Sequence, residues 1–361
     1  MTPTVLADDV TGALDTGVAF AAPDQQPLTV HLELPDRIDG GVIVVPTREA
    51  SPAAAITMTR AVMARLAPQG LVFKKIDSLL RGHWALELAT MLAGHGFRRC
   101  VLAPAFPAQH RVTVDGRQWL RQPDGSLTPV GASLLDRLQQ ASVRGALWRA
   151  GTPPPQAPVL VADAGTDDDL RTVVDAAATL PGPVLWCGTS GLARALGHPP
   201  TVRPDVPTPC LALIGTAHPT TLGQVAALRA SLDDHMVALR RGDDTALARL
   251  AARPAMVVTF PIAAGADADR EIESCLRWLL PRLAPPRTLF VTGGETLLRV
   301  ARVLEVERLA VEAEWVAGVP WSRLVGGPWH DVAVLSKSGA FGERDLLPRM
   351  VRAALQHSDC F

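Results

Sequence analysis

Short apolar, β-prone runs alternate with longer stretches rich in alanine, leucine and arginine along most of the chain. Before residue 198, the apolar runs predict strands at Val5–Ala7, Leu28–Leu32, Gly41–Val45, Gly70–Lys74, Cys100–Leu102, Val159–Val161 and Val184–Cys187. The stretches between them predict helices at Ala53–Leu66, Ala85–Gly94, Asp168–Thr179 and Gly191–Leu196. Continuous apolar strands that alternate with helices are typical of a parallel sheet covered on both faces.

A proline-rich segment interrupts this alternation. Residues 198–209 contain five prolines in twelve positions, which predicts a stiff, extended linker. Further strands are then predicted at Cys210–Ile214, Met236–Leu239, Ala255–Thr259, Thr288–Val291, Val311–Ala313 and Asp331–Leu335. Further helices are predicted at Thr220–Leu232, Thr245–Ala252, Asp269–Leu283, Glu295–Val303 and Arg344–Leu355. A second proline-rich stretch, Pro153–Pro158, predicts a loop within the first half.

The pattern predicts two α/β domains, residues 1–200 and 208–361, with mainly parallel sheets that face each other across an interdomain cleft. A chain of 361 residues suits two domains, because typical domains have about 100–200 residues. The composition, 48% hydrophobic and 20% charged, indicates a globular protein and not a disordered one.

Charge and composition also exclude several classes of partner. The net charge of −1 argues against a nucleic-acid-binding surface. No apolar run approaches the roughly 18–20 residues of a membrane helix, and Asp8 and Asp9 stand where a signal peptide needs an apolar core. Five scattered cysteines without a close metal-binding spacing fit buried thiols in a reducing cytoplasm.

Only three of the 35 basic residues are lysines: Lys74, Lys75 and Lys337. The absence of asparagine and tyrosine suggests a GC-rich gene that encodes arginine wherever either cation would serve. A lysine that survives this bias is more often one that arginine cannot replace, and a compact ammonium group beside glycines and hydroxyls suits phosphate binding. Chance is the alternative explanation. Lys74 can be a solvated neighbour of Lys75.

Two acids follow the first predicted strand and open a helix. Asp8 and Asp9 lie in the run Leu6–Gly17, at a strand end where open α/β sheets bind ligands. They could accept hydrogen bonds from a polyol or act as a base. The alternative is helix capping, for which aspartate and threonine are favoured.

The run Lys74–Gly82 lies at another strand end. Lys75 and Arg81 could bind a carboxylate, and Asp77 and Ser78 could bind hydroxyl groups. The alternative is a solvated, salt-bridged turn.

Two further motifs of the first half have structural explanations as well. Ala103–Pro107, with residues 111–116 after it, is either a ligand-contact motif or a proline-rigidified turn and hairpin, and the pattern favours the second at least as strongly. Gly188–Gly191 precedes a helix, so it is either an anion site or a tight turn.

Three loops of the second half combine glycines with hydroxyl groups, each directly after a strand. They are Gly215–Thr221, Thr292–Thr296 and Ser336–Gly339. Backbone N–H groups and a helix N-terminus in such loops can bind phosphates, so together they indicate a nucleotide site. None matches a P-loop or a dinucleotide-binding fingerprint.

These motifs, in this order from Ala7 to Gly342, resemble the four-carbon acid sugar kinase family. The resemblance implies an N-terminal domain that binds a sugar acid and a C-terminal domain that binds nucleotide. Family members phosphorylate threonate, erythronate and oxo-tetronates with ATP.

The resemblance also implies site residues. On the sugar-acid side it indicates Asp8, Asp9, Lys75, Asp77, Ser78 and Arg81. On the ATP side it indicates Gly293, Gly294, Glu295, Thr296 and Gly339, together with His218, which stands where the family usually carries a serine. Leu79 and His83 also depart from the usual motif, where the family has a hydroxyl and an amide.

The expected reaction is direct phosphoryl transfer from ATP to a hydroxyl of a small hydroxy acid across the cleft. Arg81 and Lys75 would hold the carboxylate, Asp9 or Asp77 would accept the hydroxyl proton, and Lys337 would neutralise charge near the phosphate. Mg²⁺ would bridge phosphate oxygens. The alternatives are a non-catalytic sugar-acid or nucleotide sensor and a nicotinamide-dependent hydroxy-acid dehydrogenase. A homodimer is possible.

Overall fold

The computed structural model describes residues 2–22, 26–67, 70–94, 96–260 and 266–356. The chain divides into two compact units. The first comprises the residues up to Ala22 and Leu28–Pro199, and the second comprises residues 26–27 and the residues from Pro200 onward. Both units are α/β, as the sequence pattern predicts.

The first unit contains a parallel sheet, helices on its faces and a small antiparallel meander. Its strands are β1 (Thr4–Ala7), β2 (Leu28–His31), β3 (Gly41–Val44), β4 (Val72–Lys75), β5 (Arg99–Ala103), β6 (Arg111–Val114), β7 (Arg117–Arg121), β8 (Leu127–Val130), β9 (Gly145–Arg149), β10 (Val159–Asp163) and β11 (Val184–Gly188). Its helices are α1 (Val10–Phe20), α2 (Pro52–Arg65), α3 (Trp84–Gly94), α4 (Leu134–Gln140), α5 (Asp167–Ala177) and α6 (Ser190–Leu196).

Strand order in this unit places three strand ends side by side. The order is β2-β3-β1-β4-β11-β5-β10-β9, and all neighbouring pairs are parallel. Strands β1, β3 and β4 are buried along their whole length. Because they are parallel neighbours, their carboxyl ends meet at one edge, where open α/β sheets bind ligands. The meander β6-β7-β8 is separate and antiparallel.

The second unit repeats this arrangement with fewer strands. Its strands are β12 (Cys210–Ile214), β13 (Met236–Ala238), β14 (Ala255–Thr259), β15 (Thr288–Thr292), β16 (Arg308–Val316), β17 (Val319–Val325) and β18 (Ala333–Lys337). Its helices are α7 (Pro219–Leu232), α8 (Asp244–Ala251), α9 (Ala266–Leu279), α10 (Gly294–Val303) and α11 (Leu346–Gln356). The order is β13-β14-β12-β15-β18-β17-β16, and the first five strands are parallel. The carboxyl ends of β12, β15 and β18 are therefore neighbours.

Several sequence predictions are wrong in extent. The strand predicted at Val311–Ala313 is the middle of the nine-residue β16, and its hairpin partner β17 was not predicted. Strand β9 and helix α4 were also missed. Helix α9 ends at Leu279, two residues before Pro281, although the pattern predicts helix to Leu283. Strand β18 begins at Ala333 and not at Asp331, whose φ of 69° is outside the strand region.

The proline-rich segment 198–209 is extended but does not behave as a free linker. The Trp315 indole donates to the carbonyl of Pro204 at 2.9 Å, and the Thr288 hydroxyl donates to the carbonyl of Pro207 at 2.7 Å. Val206 is fully buried in the core of the second unit. Residues 204–207 therefore pack into the second unit, whereas His198 donates its backbone N–H to the carbonyl of Ala19 in the first. Pro153–Pro158 is a loop, as predicted.

The remaining features bear on the predicted surroundings. In the part of the chain that the structure describes, no helix combines the length and apolar character needed to cross a membrane. Cys100, Cys187, Cys210 and Cys275 are buried free thiols, whereas Cys360 lies outside the described residues.

Candidate functional site

The carboxyl end of β1 carries two acids that one arginine holds. Arg48 donates through Nε and Nη2 to Oδ2 and Oδ1 of Asp8 at 3.0 and 2.8 Å, and through Nη1 to Oδ2 of Asp9 at 2.7 Å. Asp9 also caps α1, because its Oδ1 accepts from the Gly12 amide at 2.8 Å. The Thr11 hydroxyl donates to Asp9 Oδ2 at 2.7 Å. The capping interpretation is therefore correct for Asp9, and both acids remain at the expected strand end.

Sequence reasoning missed Arg48, although it organises this cluster. Burial alone would lower the pKa of its guanidinium, but the charges of Asp8 and Asp9 raise it above its ordinary value. As one of 32 arginines it has no compositional signal. The available signal was its position, three residues after the predicted strand Gly41–Val45 and hence at the carboxyl end of a strand.

Asp77 closes the loop after β4. Its Oδ2 accepts from the Leu79 amide at 3.0 Å and from Arg81 Nε at 2.9 Å, and its Oδ1 accepts from Arg81 Nη2 at 2.7 Å. Burial would raise the pKa of Asp77, but the hydrogen bond from Arg81 and the charge of Arg48 hold that pKa well below its usual range. The salt-bridged-turn interpretation thus describes Asp77 and Arg81, but Asp77 itself is buried.

Lys74 and Lys75 lie on opposite faces of β4, because adjacent strand residues alternate. Lys74 Nζ lies 2.5 Å from Glu87 Oε2 of helix α3, and both side chains are buried. The expectation of a solvated Lys74 is therefore wrong. Lys75 is buried beside the first turn of α1, where a Cβ on Gly12 would lie 3.1 Å from its Nζ. Its ammonium donates to the carbonyl of Ile76 at 2.8 Å.

The meander is attached to the same loop through buried Gln118. The Gln118 amide nitrogen donates to the carbonyls of Ser78 at 3.3 Å and Pro104 at 2.9 Å. Phe106 and Arg111 pair across the predicted turn, so the hairpin prediction for this motif is correct. No described residue forms a hydrogen bond with the Ser78 hydroxyl.

The Gly188–Gly191 motif is the direct connection from β11 to α6, with Thr189 as the N-cap of the helix, and it packs against a neighbouring loop. The Thr189 hydroxyl donates to the carbonyl of Ala105 at 2.8 Å. A Cβ on Gly191 would lie 2.5 Å from the same carbonyl oxygen, so the glycine permits this close packing. The motif therefore supports the fold of the first unit.

The three glycine–hydroxyl loops of the second unit converge on Thr216. A Cβ on Gly339 would lie 2.7 Å from the Thr216 hydroxyl, and a Cβ on Gly293 would lie 3.5 Å from Thr216 Cβ. A Cβ on Gly215 would clash with the Thr296 side chain. The sequence could predict each loop separately, whereas their convergence follows from the parallel order β12-β15-β18.

Helix α10 begins inside this convergence. Its N-cap, Gly293, has φ 91° and gives no side-chain hydrogen bond to the helix. The first-turn amides at 294–296 are therefore not capped by a side chain, and such groups favour a phosphate. The hydroxyl of Thr292 is buried and has no hydrogen-bond partner in the described chain. This combination fits the phosphates of a nucleotide.

Lys337 is fully buried and ties the third loop together. Its Nζ donates to the Thr221 hydroxyl at 2.9 Å and to the carbonyls of Ser338 and Phe341, both at 3.1 Å. Burial lowers the pKa of its ammonium group to about 8. Thr221 in turn donates to the Gly339 carbonyl at 2.7 Å. Lys337 thus positions the glycine loop.

His218 and Glu295 lie at the rim of this region. His218 is exposed and caps α7 by accepting from the Thr220 amide at 3.2 Å. Glu295 is exposed, and its carboxylate is 3.8 Å from the Arg299 guanidinium. Both side chains are exposed, and that of His218 also borders the convergence, because a Cβ on Gly339 would lie 3.3 Å from His218 Cβ.

Comparison with known proteins gives a different family description for each half of the chain. A family described as a sugar-binding N-terminal domain matches residues 4–149, and one described as a nucleotide-binding C-terminal domain matches residues 211–347. A D-threonate kinase from Bordetella bronchiseptica is 29% identical over 97% of this chain and 96% of its own. A D-threonate kinase and a 3-oxo-tetronate kinase from Cupriavidus necator are each 28% identical, with coverage of 95–96% on both sides. The chain belongs to the four-carbon acid sugar kinase family.

Solved structures share the fold of this kinase family member. A crystal structure from Salmonella typhimurium LT2 has a TM-score of 0.73 at 21% identity, covering 97% of this chain and 99% of the other. One from Haemophilus influenzae has a TM-score of 0.68 at 20% identity, with coverage of 98% and 99%.

The departures from the family motif have different structural explanations. His83 Nε2 is 2.6 Å from the carbonyl of Ala50, so the imidazole joins the loop after β4 to the turn before α2. Leu79 is exposed at the tip of that loop. His218 caps its helix, a role that the serine usual in the family could also fill.

The described residues include no cluster of three or more His, Cys, Asp or Glu side chains arranged to hold a metal ion. Mg²⁺ commonly keeps several waters and binds through substrate phosphates with one or two carboxylates, so a kinase needs no preformed protein cage for it.

Proposed function

We propose that this chain transfers the γ-phosphoryl group of ATP to a hydroxyl group of a sugar acid of about four carbons. The observation that carries the proposal is the convergence of three glycine–hydroxyl loops on Thr216, beside the uncapped N-terminus of α10. A cluster of paired carboxylates and guanidinium groups at the strand ends of the other unit, in which Asp8 and Asp77 are buried, supports the acceptor side. The kinases named among the relatives give the acceptor class.

Asp9 is the better candidate to accept the hydroxyl proton. Its side chain is 24% exposed, against 8% for Asp77. Both acids accept hydrogen bonds on both oxygens, but the bonds from Arg81 and the charge of Arg48 lower the pKa of Asp77, which makes Asp77 a weak base. In phosphoryl transfer the protein mainly positions groups and neutralises charge, so a carboxylate that orients the hydroxyl is sufficient.

The first-turn amides of α10 and the amides around Gly339 would hold the phosphates. Bound Mg²⁺ would neutralise charge on the phosphate oxygens. Lys337 would affect the phosphates indirectly, because its three hydrogen bonds hold the loop of Ser338–Phe341 in place.

No observation favours the non-catalytic sensor or the dehydrogenase over the kinase. Homodimerisation and a cytoplasmic location remain predictions from the sequence.

The decisive experiment is an ADP-release assay with ATP, Mg²⁺ and a panel of three- to six-carbon sugar acids that includes threonate and erythronate. We expect turnover with a four-carbon acid. Calorimetry with ATP and with NAD runs in parallel: ATP binding without turnover on any acid would favour the sensor, and NAD binding in place of ATP would favour the dehydrogenase.

A further inference from the structure

Two arginines of the first unit bind a carboxylate in the same way. Arg48 uses Nε and Nη2 to hold both oxygens of Asp8, and Arg81 uses Nε and Nη2 to hold both oxygens of Asp77. These two nitrogens form one edge of the guanidinium, whose parallel N–H groups match the two oxygens of a carboxylate.

A third arginine near this cluster presents the same edge without a protein partner. Arg111 donates only through Nη1, to the carbonyl of Gln109 at 2.5 Å and to the Gln109 side-chain oxygen at 3.3 Å. Its Nε is buried and has no hydrogen-bond partner, and no described residue accepts from its Nη2. A buried donor without a partner is uncommon, and a ligand atom commonly explains one.

Arg111 also belongs to the same region as the acids. The Asp77 carboxylate acts on it electrostatically, although no described carboxylate lies within ion-pair distance of it. Burial, the larger effect, lowers the pKa of its guanidinium. Through Gln118, the meander that carries Arg111 is hydrogen-bonded to the loop of Asp77 at Ser78.

The balance of cations and carboxylates in this cluster also favours an anionic ligand. Arg48 is matched by Asp8 and Asp9, Arg81 by Asp77, and Lys74 by Glu87. Lys75 and Arg111 have only carbonyl or amide acceptors in the described chain. The cluster therefore retains positive charge for an anionic ligand, and Arg111 has the geometry for a carboxylate.

We propose that Arg111 binds the carboxylate group of the sugar acid through its Nε–Nη2 edge, a specificity role that rests on the proposed kinase function. Arg81, which sequence reasoning assigned to this role, is already occupied by Asp77. Lys75 remains a second, non-directional positive charge at the same strand ends.

The test compares Arg111→Gln and Arg111→Lys with the control Arg121→Gln, an exposed arginine at the end of β7, the middle strand of the same meander. For Arg111→Gln we expect the KM for the acid to rise about 100-fold, because two charge-assisted hydrogen bonds are lost, with the Kd for ATP unchanged. Arg111→Lys keeps the charge but loses the fork, so an intermediate KM is expected. Arg121→Gln should match the wild type.

The readout specific to the carboxylate is discrimination against the corresponding uncharged polyol. The wild type should strongly prefer threonate to threitol and erythronate to erythritol, and Arg111→Gln should lose most of this preference. A variant that kept the wild-type preference and KM would overturn the inference while leaving the kinase function intact. If Arg111→Gln fails to fold, Arg111→Lys with the same acid-to-polyol comparison decides.

Binding separates this inference from the proposed function. If no acid is turned over, calorimetry with threonate and erythronate as probes replaces the kinetic assay. Binding by the wild type that Arg111→Gln abolishes and Arg121→Gln retains would support the assignment without kinase activity. A wild-type chain that binds neither acid would overturn it.

Discussion

At the scale of single residues, surroundings give two nearby aspartates different chemistry. Asp77 is buried, its oxygens are held by Arg81 and the Leu79 amide, and its pKa is well below its usual range. Asp9 caps a helix and is more exposed. The sequence could place both acids at strand ends, but only the hydrogen bonds distinguish them.

Asp9→Asn should lower kcat by roughly 10²–10⁴-fold, as expected for loss of a proton acceptor, while the Kd for ATP stays unchanged. A normal kcat in this variant would contradict the assignment of Asp9 as proton acceptor.

Asp77→Asn should act mainly on stability. Because the folded-state pKa of Asp77 is lowered, its stabilisation is present above the unfolded-state pKa of about 4 and is lost as pH falls through the folded-state value. Urea unfolding at pH 7 should therefore show a deficit in Asp77→Asn that shrinks in strong acid.

Lys337 gives a second prediction at this scale. Its folded-state pKa is about 8, below the unfolded value of about 10.4, so the native chain releases this proton first. Between these values the unfolded chain binds more protons, and this group makes stability rise with pH. ATP affinity should fall over the same range, because the loop loses its charged anchor.

Calorimetry with ATP and urea unfolding, both at pH 7 and 9.5, check these opposite trends. Lys337→Met should weaken ATP binding at pH 7. It should also remove the contribution of the Lys337 ammonium to the pH dependence of stability and to that of ATP affinity. Parallel pH profiles in the wild type and the variant would show that another group is responsible.

At the scale of secondary-structure elements, β4 and α3 are joined by the buried Lys74–Glu87 pair. Removing one partner leaves a buried charge alone. We expect Lys74→Met to destabilise the protein by about 3–5 kcal/mol, whereas the double variant Lys74→Met/Glu87→Leu should be close to neutral. Urea unfolding of the single and double variants measures the difference. Equal losses in both would show that the pair is not coupled.

The elements also show how far the sequence can predict this structure. Parallel strands that are buried along all or nearly all of their length, such as β12 and β14, have continuous apolar runs, and their predicted bounds match the observed ones. Strand β17 was missed because Pro320, Ser322 and Arg323 interrupt its apolar pattern. The paired acids and glycine loops were identifiable from their positions after strands. Arg48 was not identified, and Arg111 was included only in a turn motif without a specific role, because their significance depends on partners brought together by the fold.

At the scale of the whole molecule, the family described as sugar-binding and the family described as nucleotide-binding match separate units. A substitution in the second unit should therefore remove the stabilisation by ATP and leave the stabilisation by a sugar acid unchanged. A Cβ at Gly293, with φ 91° and ψ 133°, is expected to cost of order 1–3 kcal/mol of backbone strain and to displace the first turn of α10.

In thermal unfolding, ATP at 100 times its Kd should stabilise the wild type by about 2.7 kcal/mol. Gly293→Ala should lose most of this shift but keep the shift produced by a sugar acid. The control is Gly223→Ala on α7, where a Cβ would meet nothing within 4 Å. A full ATP response in Gly293→Ala would exclude the start of α10 as the phosphate site.

The burial of all three lysines has a consequence for the surface. Lys74, Lys75 and Lys337 are at most 6% exposed, so the exposed side-chain cations of the described chain are arginines and histidines. Reagents and enzymes that modify amino groups, including acetylating agents and amine-directed cross-linkers, would find almost no side-chain target on the native protein. Modification of a lysine would therefore report local opening of a strand end, and labelling with such reagents would distinguish opening in the first unit from opening in the second.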